Sequence, residues 1–402
     1  MPLANALVRP EHRDRPDARF PLDVVRCRAC GLLQLACSVS PEVLFREYVY
    51  FSSYSETFLQ HVEHLVSEIC AARALGNDSL VVEIASNDGY LLQYYKQRGV
   101  RVLGVEPAEN IARVARDTRA IPTLAEFFGP ELAGRLVQEG VRADVVHAHN
   151  VIAHVPDLLD VLRGIRDLLK LDGIVVIEVP YVLDMVDKLE FDTIYHEHLC
   201  YFSLSALRHA FDRAGLEVAD VRRVPIHGGS IRVFGRRKDA VSAPDIDGQR
   251  RVGDMLAAEQ HWGILENAPY RRFAEGVVSI RESLRALLSR LKAEGNSIAA
   301  YGAAAKGAVL MNYCGIGHEF VDFVVDRSAA KHGLLTPGTR LMIYPPERLL
   351  EVRPDYVLLL AWNLADEIMA QQAEYRRLGG RFIVPVPAPE IVQTPATTSR
   401  AT

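Results

Sequence analysis

Short apolar runs alternate with helix-forming segments through the middle of the chain. There are four such runs, at residues 80–84, 100–105, 144–148 and 173–179. Each is long enough for a strand that is buried on both faces. Helices are predicted between them, over residues 90–98 and 109–117. Because strands that alternate with helices build a parallel sheet covered on both faces, the pattern predicts an α/β fold.

Two longer segments have the 3.6-residue period of amphipathic helices. Ser55 is a candidate N-cap for the first, whose apolar positions are Phe58, Val62, Leu65, Val66 and Ile69. The second is predicted as one helix over residues 254–293, with the apolar stripe Phe273, Val277, Ile280, Leu284, Leu287, Leu288 and Leu291. Gly295 is a candidate C′ residue after it.

A second strand–turn–helix pattern begins at residue 297. Further strands are predicted at residues 320–325, 356–361 and 381–384. The C-terminal part is therefore predicted to form another, smaller α/β domain. A prior of about 150 residues per domain also gives two or three domains for this length.

The composition excludes several classes of protein. The 402 residues are 49% hydrophobic and 24% charged, which is typical of a folded chain and not of a disordered one. No apolar run reaches the roughly 20 residues of a membrane span, and no signal-peptide pattern opens the sequence. The 46 Lys and Arg against 51 Asp and Glu argue against a nucleic-acid partner. We therefore expect a cytoplasmic protein without nucleic-acid or membrane partners.

The turn after the first predicted strand, residues 83–89, carries the first candidate chemistry. Ligands of doubly wound folds lie at the carboxyl ends of strands, and the next strand ends in Glu106, which can accept hydrogen bonds from ribose hydroxyls. The NAD fingerprint is absent, because Ala85 and Asn87 take its first two glycine places. Glu83 at the strand end favours a methyltransferase site for S-adenosylmethionine (SAM). A tight turn without a ligand is the alternative.

Two polar stretches follow later strands. Residues 149–157 place Asn150 and His154 on the same predicted edge. Residues 195–198 are Tyr-His-Glu-His, four titratable side chains in succession. A metal site is disfavoured because the H-E-x-x-H spacing is missing. A histidine general base oriented by a carboxylate is the better interpretation, with a structural hydrogen-bonded cluster as the alternative.

Two glycine-containing turns complete the motifs. His227 and Arg232 flank a Gly-Gly pair, which predicts either a binding loop or a β-turn. Residues 301–307 include Tyr301 and Lys306 and are similar to a phosphate-binding turn that leads into a helix. Glycines and alanines that only pack the helix are the alternative.

Taken together, these motifs resemble those of the SAM-dependent sugar C-methyltransferases, which act on nucleotide-linked keto-deoxysugars in antibiotic pathways. The resemblance covers nearly the whole chain. It includes residues 82–90, 104–108, 154–157, 191–198, 227–232, 301–307 and 336–339.

The resemblance implies three parts: a zinc-knuckle-like module over residues 1–54, a central Rossmann-like methyltransferase domain over 55–240, and a second Rossmann-like domain over 241–402 that helps to bind the nucleotide sugar. It implies SAM as cofactor and His198 as the base, with Tyr195, Glu197 and His154 around the sugar. The expected cofactor residues are Glu83, Ala85, Asn87, Asp88, Gly89, Glu106, Pro107, Asn110, Phe128 and Asn150. The expected substrate residues are Tyr48, Tyr50, His227, Arg232, Tyr301 and Lys306.

One departure concerns zinc. The family has two Cys-x-x-Cys pairs, whereas this sequence has only Cys27 and Cys30, with the first pair expected before the Pro-Leu-Ala-Asn stretch at residues 2–5. Two thiolates cannot complete a tetrahedral zinc site, and Cys37 does not have the family's spacing. We expect a truncated start, with loss of the zinc as the alternative.

The predicted reaction is carbon methylation at C-3 of a dTDP-4-keto-deoxyhexose, with or without a 3-amino group. His198 would remove the proton next to the ketone, and Tyr195 or His154 would stabilise the enolate oxygen. Three alternatives remain: an O- or N-methyltransferase, a non-catalytic protein that binds SAM or a nucleotide sugar, and an NAD-dependent sugar-nucleotide enzyme. The sequence makes no prediction of the oligomeric state.

Overall fold

The computed structural model describes residues 1–45, 52–54, 56–226, 228–240 and 245–392. These residues form two compact units. The large unit consists of Val24–Leu183 and Glu197–Leu265, and the small unit of Met1–Asp23, Asp184–His196 and Glu266–Thr402. The predicted domain boundaries at 54/55 and 240/241 follow the sequence alone and stay predictions. No helix among the described residues is long and apolar enough to cross a bilayer.

The described residues of the large unit form ten strands and the helices that cover them. Its strands are β1 (Val24–Arg26), β2 (Leu33–Leu35), β3 (Leu80–Ile84), β4 (Arg101–Val105), β5 (Thr123–Leu124), β6 (Ala143–His149), β7 (Leu169–Pro180), β8 (Cys200–Tyr201), β9 (Leu216–Val224) and β10 (Ser230–Arg237). Its helices are α1 (Pro41–Phe45), α2 (Glu56–Arg73), α3 (Leu92–Gln97), α4 (Glu109–Arg119), α5 (Pro130–Gln138), α6 (Leu158–Leu168), α7 (Val182–Asp187), α8 (Leu204–Ala214) and α9 (Ile246–Trp262). The last residues of α7 already belong to the small unit.

A seven-stranded sheet is the centre of the large unit, in the order β5-β4-β3-β6-β7-β10-β9. The pairs from β5 to β7 are parallel, and β10 runs antiparallel to both of its neighbours. All five residues of β3 are buried, as expected for a strand that is covered on both faces. The predicted α/β fold with a largely parallel sheet is confirmed.

Helix α2 packs on one face of this sheet. The five predicted apolar positions of α2 are all buried, which confirms its period (Phe58, Val62, Leu65, Val66 and Ile69). They share one core with Val81, Val145 and Val176 of three adjacent strands. Transfer of such side chains from water is the main stabilising contribution to the unit.

The prediction of one helix over residues 254–293 is wrong. The segment forms α9, which ends at Trp262, and α10 (Ala268–Ala293). Gly263 takes a left-handed φ of 90°, which ends α9, and Pro269 lies in the first turn of α10, where the missing N–H has no cost. The predicted apolar stripe lies within α10, and Gly295 follows it with φ of 84° as predicted.

The small unit is a second α/β fold, as predicted. Its strands are β11 (Ile298–Tyr301), β12 (Val324–Val325), β13 (Ile343–Tyr344), β14 (Tyr356–Leu359), β15 (Arg381–Val384) and β16 (Glu390–Val392). Besides α10, its helices are α11 (Ala305–Cys314), α12 (Arg348–Val352), α13 (Ala365–Gln371) and α14 (Ala373–Arg377). The sheet order is β13-β12-β11-β14-β15-β16, parallel except for β16. The strand predicted over residues 320–325 is shorter, because Phe320 and Val321 donate to the carbonyl of Gly317 in a turn.

One buried carboxylate fixes the start of helix α8. The Glu259 side chain, on α9, accepts hydrogen bonds from the main-chain N–H groups of Leu204 (2.6 Å) and Ser205 (2.8 Å) and from the Tyr181 hydroxyl (3.0 Å). The first turn of a helix leaves such N–H groups without partners within the helix, so a carboxylate there satisfies them and complements the helix dipole.

We expect Glu259→Ala to lower the free energy of unfolding by about 3 kcal/mol, because several buried donors lose their acceptor. Urea denaturation followed by circular dichroism measures this change. Asp254→Ala, at an exposed position of the same helix, is the matched control and should change the stability by less than about 0.5 kcal/mol. Equal effects of the two substitutions would contradict the assigned role of Glu259.

Candidate active site

Several predicted cofactor residues meet at one edge of the seven-stranded sheet. Glu83 lies near the end of β3, Glu106 directly follows β4, and Asn150 directly follows β6. These three strands are adjacent and parallel, so their carboxyl ends share an edge. Ligands of open α/β sheets bind along this edge.

The turn after β3 has an unusual backbone. Ala85 and Asn87 adopt positive φ angles of 52° and 48°, although neither is glycine. Non-glycine residues in this region cost about 1 kcal/mol or more, and such strain concentrates at ligand sites. Gly89, with φ of 78°, has no room for a side chain, because a Cβ there would lie 2.6 Å from Cδ1 of Ile121.

Hydrogen bonds hold this turn in place. The Asn87 N–H donates to Oε2 of Glu106 at 3.0 Å, and the Asn87 side-chain oxygen accepts from the Ser52 N–H at 2.9 Å. The Ser53 hydroxyl donates to the Asp88 carboxylate. The turn is therefore fixed from the next strand and from the residues that precede α2.

Glu83 is the most perturbed acid at this edge. It is fully buried, and the Tyr90 hydroxyl is its hydrogen-bonding neighbour. Burial raises the pKa of Glu83 well above its usual range, the Tyr90 hydroxyl acts in the opposite direction, and Asp88 and Glu106 raise it further. A buried carboxylate in this state can accept a cationic or hydrogen-bond-donating ligand group.

Glu106 is also buried, but its oxygens have partners. It accepts from the main-chain N–H groups of Asn87 (3.0 Å) and Ala108 (2.9 Å). Burial raises the pKa of Glu106 to about 7, against the lowering effect of these two hydrogen bonds. Each carboxylate oxygen has a second lone pair, so Glu106 can still accept from ligand hydroxyls.

The remaining predicted cofactor residues lie on the segments after β4 and β5. Pro107 and Asn110 are half-buried, and Asn110 lies in the first turn of α4. Phe128 packs over Gly164 of α6, where an added Cβ would lie 3.2 Å from the Phe128 ring. Their contacts with a cofactor stay predictions.

Two histidines face each other at the same edge. His154 ends a 3-10 helix, Ile152–His154, after β6, and its ring centroid lies 4.9 Å from that of His198. The Leu199 N–H donates to the Ala153 carbonyl at 2.6 Å, so the main chain joins the two segments. Burial lowers the pKa of His154 to about 4, against hydrogen bonds to the main chain of Glu197 and Asn150. His154 is therefore neutral at pH 7.

The other residues of the Tyr-His-Glu-His stretch have different surroundings. Glu197 is buried in the large unit, and His198 is half-buried there. Tyr195 and His196 belong to the small unit. Tyr195 packs against Ala308 and Val309, and the His196 ring lies 3.1 Å from the Pro21 carbonyl.

Arg232 belongs to a buried polar network that the sequence did not predict. Its Nε donates to Glu178 at 2.8 Å, and His61 lies 3.0 Å from the same carboxylate. Burial alone would raise the pKa of Glu178, but hydrogen bonds from His149 and His61 and the charge of Arg232 lower it well below its usual range. The expected substrate role of Arg232 stays a prediction.

The network continues along β6. His147 contacts His149 at 2.8 Å through ring nitrogens and the Tyr95 hydroxyl at 2.8 Å, and burial lowers the pKa of both histidines. The signal that could have revealed this network is polar residues at alternating positions of strands that are otherwise apolar. Such positions need partners once they are buried.

Two of the predicted substrate residues, Tyr301 and Lys306, belong to the small unit. Tyr301, on β11, is buried among apolar residues of the small unit, and burial raises its pKa. Lys306 lies in the first turn of α11, with Nζ 3.9 Å from Glu190. Tyr48, Tyr50 and His227 lie outside the described residues.

The predicted zinc module is a hairpin of β1 and β2 whose turn carries Cys27 and Cys30. The Cys27 N–H donates to the Leu32 carbonyl and the Gly31 N–H to the Cys27 carbonyl, at 2.8 and 3.0 Å. In the part of the chain that the structure describes, no three His, Cys, Asp or Glu side chains are placed to hold a metal ion. The described residues therefore do not form a complete zinc site.

Comparisons with known proteins match the chain in three parts. Residues 1–45 match a family described as a putative zinc binding domain, residues 58–221 a methyltransferase domain, and residues 225–387 a C-methyltransferase C-terminal domain. The methyltransferase match agrees with the predicted cofactor, SAM. A bound zinc ion stays a prediction, because Cys27 and Cys30 alone do not complete a zinc site.

Relatives agree with these matches. The C-methyltransferase NovU of Streptomyces niveus is 41% identical over 397 residues, which are 98% of this chain and 93% of that protein. A ubiquinone biosynthesis O-methyltransferase of Methylobacterium sp. is 25% identical over 177 residues, 40% of this chain and 69% of that protein.

Solved methyltransferase structures are similar to part of the chain. Magnesium protoporphyrin IX methyltransferase of Synechocystis PCC 6803 with bound SAH has a TM-score of 0.36 and 16% identity, covering 44% of this chain and 82% of that one. A SAM-dependent methyltransferase of Clostridium acetobutylicum has a TM-score of 0.37 and 12% identity, covering 44% and 92%. The identity to NovU over nearly the whole length decides the assignment: the chain belongs to the C-methyltransferase family and is a SAM-dependent methyltransferase.

Proposed function

We propose that this methyltransferase adds a methyl group to C-3 of a dTDP-linked 4-keto-deoxyhexose, with His198 as the general base. The observation that carries the proposal is the ring contact of His154 with His198, since His154 follows β6, the strand next to the one that carries Glu83. It supports a proton acceptor on the same side of the sheet as the proposed cofactor residues.

Carbon methylation needs a base because a C–H bond is a poor nucleophile. A neighbouring ketone makes the C-3 proton removable, and an imidazole accepts protons near neutral pH. His198 would take the proton and become charged. The neutral state of His154, which follows from its burial, avoids repulsion of that charge at a ring distance of 4.9 Å.

The enolate oxygen that forms needs a hydrogen-bond donor. His154 or Tyr195 would supply it, since a neutral imidazole and a phenol each carry one donor. His154 would do so in exchange for its hydrogen bond to the main chain of Glu197 or Asn150. Glu197, buried next to His198 in the sequence, would orient the base or the substrate. Each of these roles continues the family resemblance and is part of the proposal.

The residues at the edge fit SAM. Glu83 has a buried carboxylate that would hold the cofactor's ammonium group, and Glu106 would accept from the ribose hydroxyls. When bound, SAM supplies an electrophilic methyl group on its sulfonium.

The product tests the proposed function directly. Incubation with ¹³C-methyl SAM and a dTDP-4-keto-deoxyhexose should give a sugar whose labelled methyl carbon is bonded to carbon, as seen by one-bond ¹³C couplings in NMR with a carbon-labelled sugar. A methyl bonded to oxygen or nitrogen would instead support the O- or N-methyltransferase alternative. Mass spectrometry over a panel of keto-sugars identifies the accepted substrate.

If His198 is the base, its replacement should lower turnover without weakening the binding of SAM. His198→Asn should lower kcat by about 10²- to 10⁴-fold, the usual contribution of general-base catalysis, and leave the Kd for SAM unchanged. Labelled-methyl transfer and calorimetry measure the two quantities. His64→Asn, at an exposed position of α2, is the control and should keep full activity. Full turnover by His198→Asn would rule out His198 as the base.

The raised pKa of Glu83 predicts that the binding of SAM depends on pH. Burial raises the pKa of Glu83, and any proton that Glu83 carries in the ligand-free protein must leave before an ammonium group can bind. SAM should therefore bind more tightly as the pH rises through neutrality, where Glu106, with a pKa of about 7, also ionises.

Calorimetry in buffers of different ionisation enthalpy counts the protons released on SAM binding. Glu83→Gln should weaken binding by about 10- to 100-fold, as expected for the loss of a buried charged contact, and release fewer protons than the wild type. Glu131→Gln, at an exposed position of α5, should match the wild type. An unchanged proton count in Glu83→Gln would exclude Glu83 as the group that titrates.

A further inference from the structure

The segment that leads to Tyr195 is fastened to the small unit by its own side chains. Phe191 lies in a 3-10 helix, Phe191–Thr193, and packs in the core between α10 and α11, with its ring 5.2 Å from that of Tyr313. The Thr193 hydroxyl donates to the Glu190 carbonyl at 2.5 Å and closes the turn. The segment is therefore an ordered part of the small unit.

Four polar residues, which we call the Lys306 cluster, lie beside this turn: Glu190, Asp192, Lys306 and Trp362. The indole N–H of Trp362 donates to Asp192 Oδ2 at 2.6 Å. Nζ of Lys306 lies 3.9 Å from Glu190 Oε2 and 5.1 Å from the centre of the Trp362 ring. Asp192 is fully buried, and Glu190 is 3% exposed.

The charges of the cluster depend on Lys306. Burial raises the pKa of both Glu190 and Asp192, and Lys306 is the strongest opposing influence on each. Lys188 also lowers the pKa of Glu190, whereas Asp184 and Asp192 raise it. Trp362 supplies the hydrogen bond that lowers the pKa of Asp192.

The position of Lys306 in α11 also indicates that its charge is balanced by the two carboxylates. A cation in the first turn of a helix is unfavourable toward the helix dipole, so Lys306 needs a negative partner nearby. Glu190 and Asp192 are that partner within the protein. A diphosphate at the same place would bring more negative charge next to two buried carboxylates, which opposes its binding.

Helix α11 also carries the surface on which Tyr195 rests. Tyr195 packs against Ala308 and Val309, within one turn of Lys306. Its neighbour His196 contacts the Pro21 carbonyl at 3.1 Å. A shift of the Glu190–Asp192 turn on α11 would therefore move Tyr195, which is three residues further along the chain.

We propose that the Lys306 cluster is a positioning device that holds the segment of residues 190–195 on α11, and that Lys306 is a positioning residue and not a ligand of the substrate's diphosphate. The proposal rests on the proposed function in that Tyr195 is a residue of the sugar site. Nζ of Lys306 acts through charge, since 3.9 Å exceeds a hydrogen-bond distance. An arginine should thus replace it better than a neutral residue.

Steady-state kinetics with the dTDP-keto-sugar test the proposal. Lys306→Met should lower kcat by about 10- to 100-fold, as small displacements of site residues do, with KM for the sugar nucleotide and Kd for SAM nearly unchanged. Lys306→Arg should keep most of kcat. Trp362→Phe, which removes the N–H donor to Asp192 together with part of the ring, should also lower kcat. Lys292→Met on α10, a lysine paired with Asp322 at 3.4 Å, is the control and should have no effect.

The opposite pattern would overturn the proposal. If Lys306→Met raised KM for the nucleotide sugar more than about tenfold at unchanged kcat, and Trp362→Phe were silent, Lys306 would be a diphosphate ligand.

Thermal unfolding gives a test that does not depend on the enzymatic reaction. An acid whose pKa is raised in the folded state stabilises it at low pH and loses this contribution as the pH rises. Loss of Lys306 should raise both pKa values further, so the Tm deficit of Lys306→Met should grow between about pH 5 and pH 8. The double variant Lys306→Met with Asp192→Asn should recover part of that deficit. A pH-independent deficit without recovery would show that Lys306 does not compensate these carboxylates.

Discussion

The burial of the Glu83 carboxylate is the constraint on which the cofactor edge depends. Burial disfavours the charged form of this carboxylate and raises its pKa well above the usual range. The turn that follows adds backbone strain at Ala85 and Asn87. Both features are unfavourable for stability, and the proposed binding of the SAM ammonium group at the strand end would make use of them.

A second buried carboxylate on the same sheet shows what a structural solution looks like. Glu178 pairs in register with His149 on one side and with Arg232 on the other, and it has partners from both. Its pKa is lowered, whereas that of Glu83 is raised. Glu83 pairs in register with His147, but that histidine is already bound to Tyr95 and His149. The sheet therefore compensates Glu178 with its own side chains, whereas His147 does not compensate Glu83.

Periodicity was sufficient for most of the fold, since β3 and α2 each bury the apolar positions that their pattern predicts. It failed at Gly263, because an apolar stripe says nothing about a helix break between two segments of similar pattern. The turn from Glu83 to Gly89 was predicted because its motif lies within one stretch of chain, and its role in a cofactor site stays a prediction. The Glu178 network was missed because its partners are far apart in sequence; His61 is 117 residues away. For the same reason, the sequence could not show that Lys306 faces Glu190.

The central sheets of the two units share one arrangement of hydrogen bonds. In the large unit, Glu106 follows β4 and accepts from the N–H of Asn87, in the turn after β3, and from the N–H of Ala108, two residues further along the chain. In the small unit, Asp326 follows β12 and accepts in the same way from Ala303 and from Ser328, both at 2.8 Å.

The difference lies in the charges around this shared arrangement. Nζ of Lys331 lies 3.3 Å from Asp326 and neutralises it, and β11 carries no acid corresponding to Glu83. The turn of the small unit is thus electrostatically complete, whereas that of the large unit has a carboxylate in excess. The two turns therefore share one backbone arrangement and differ in the buried acidic and basic side chains around it.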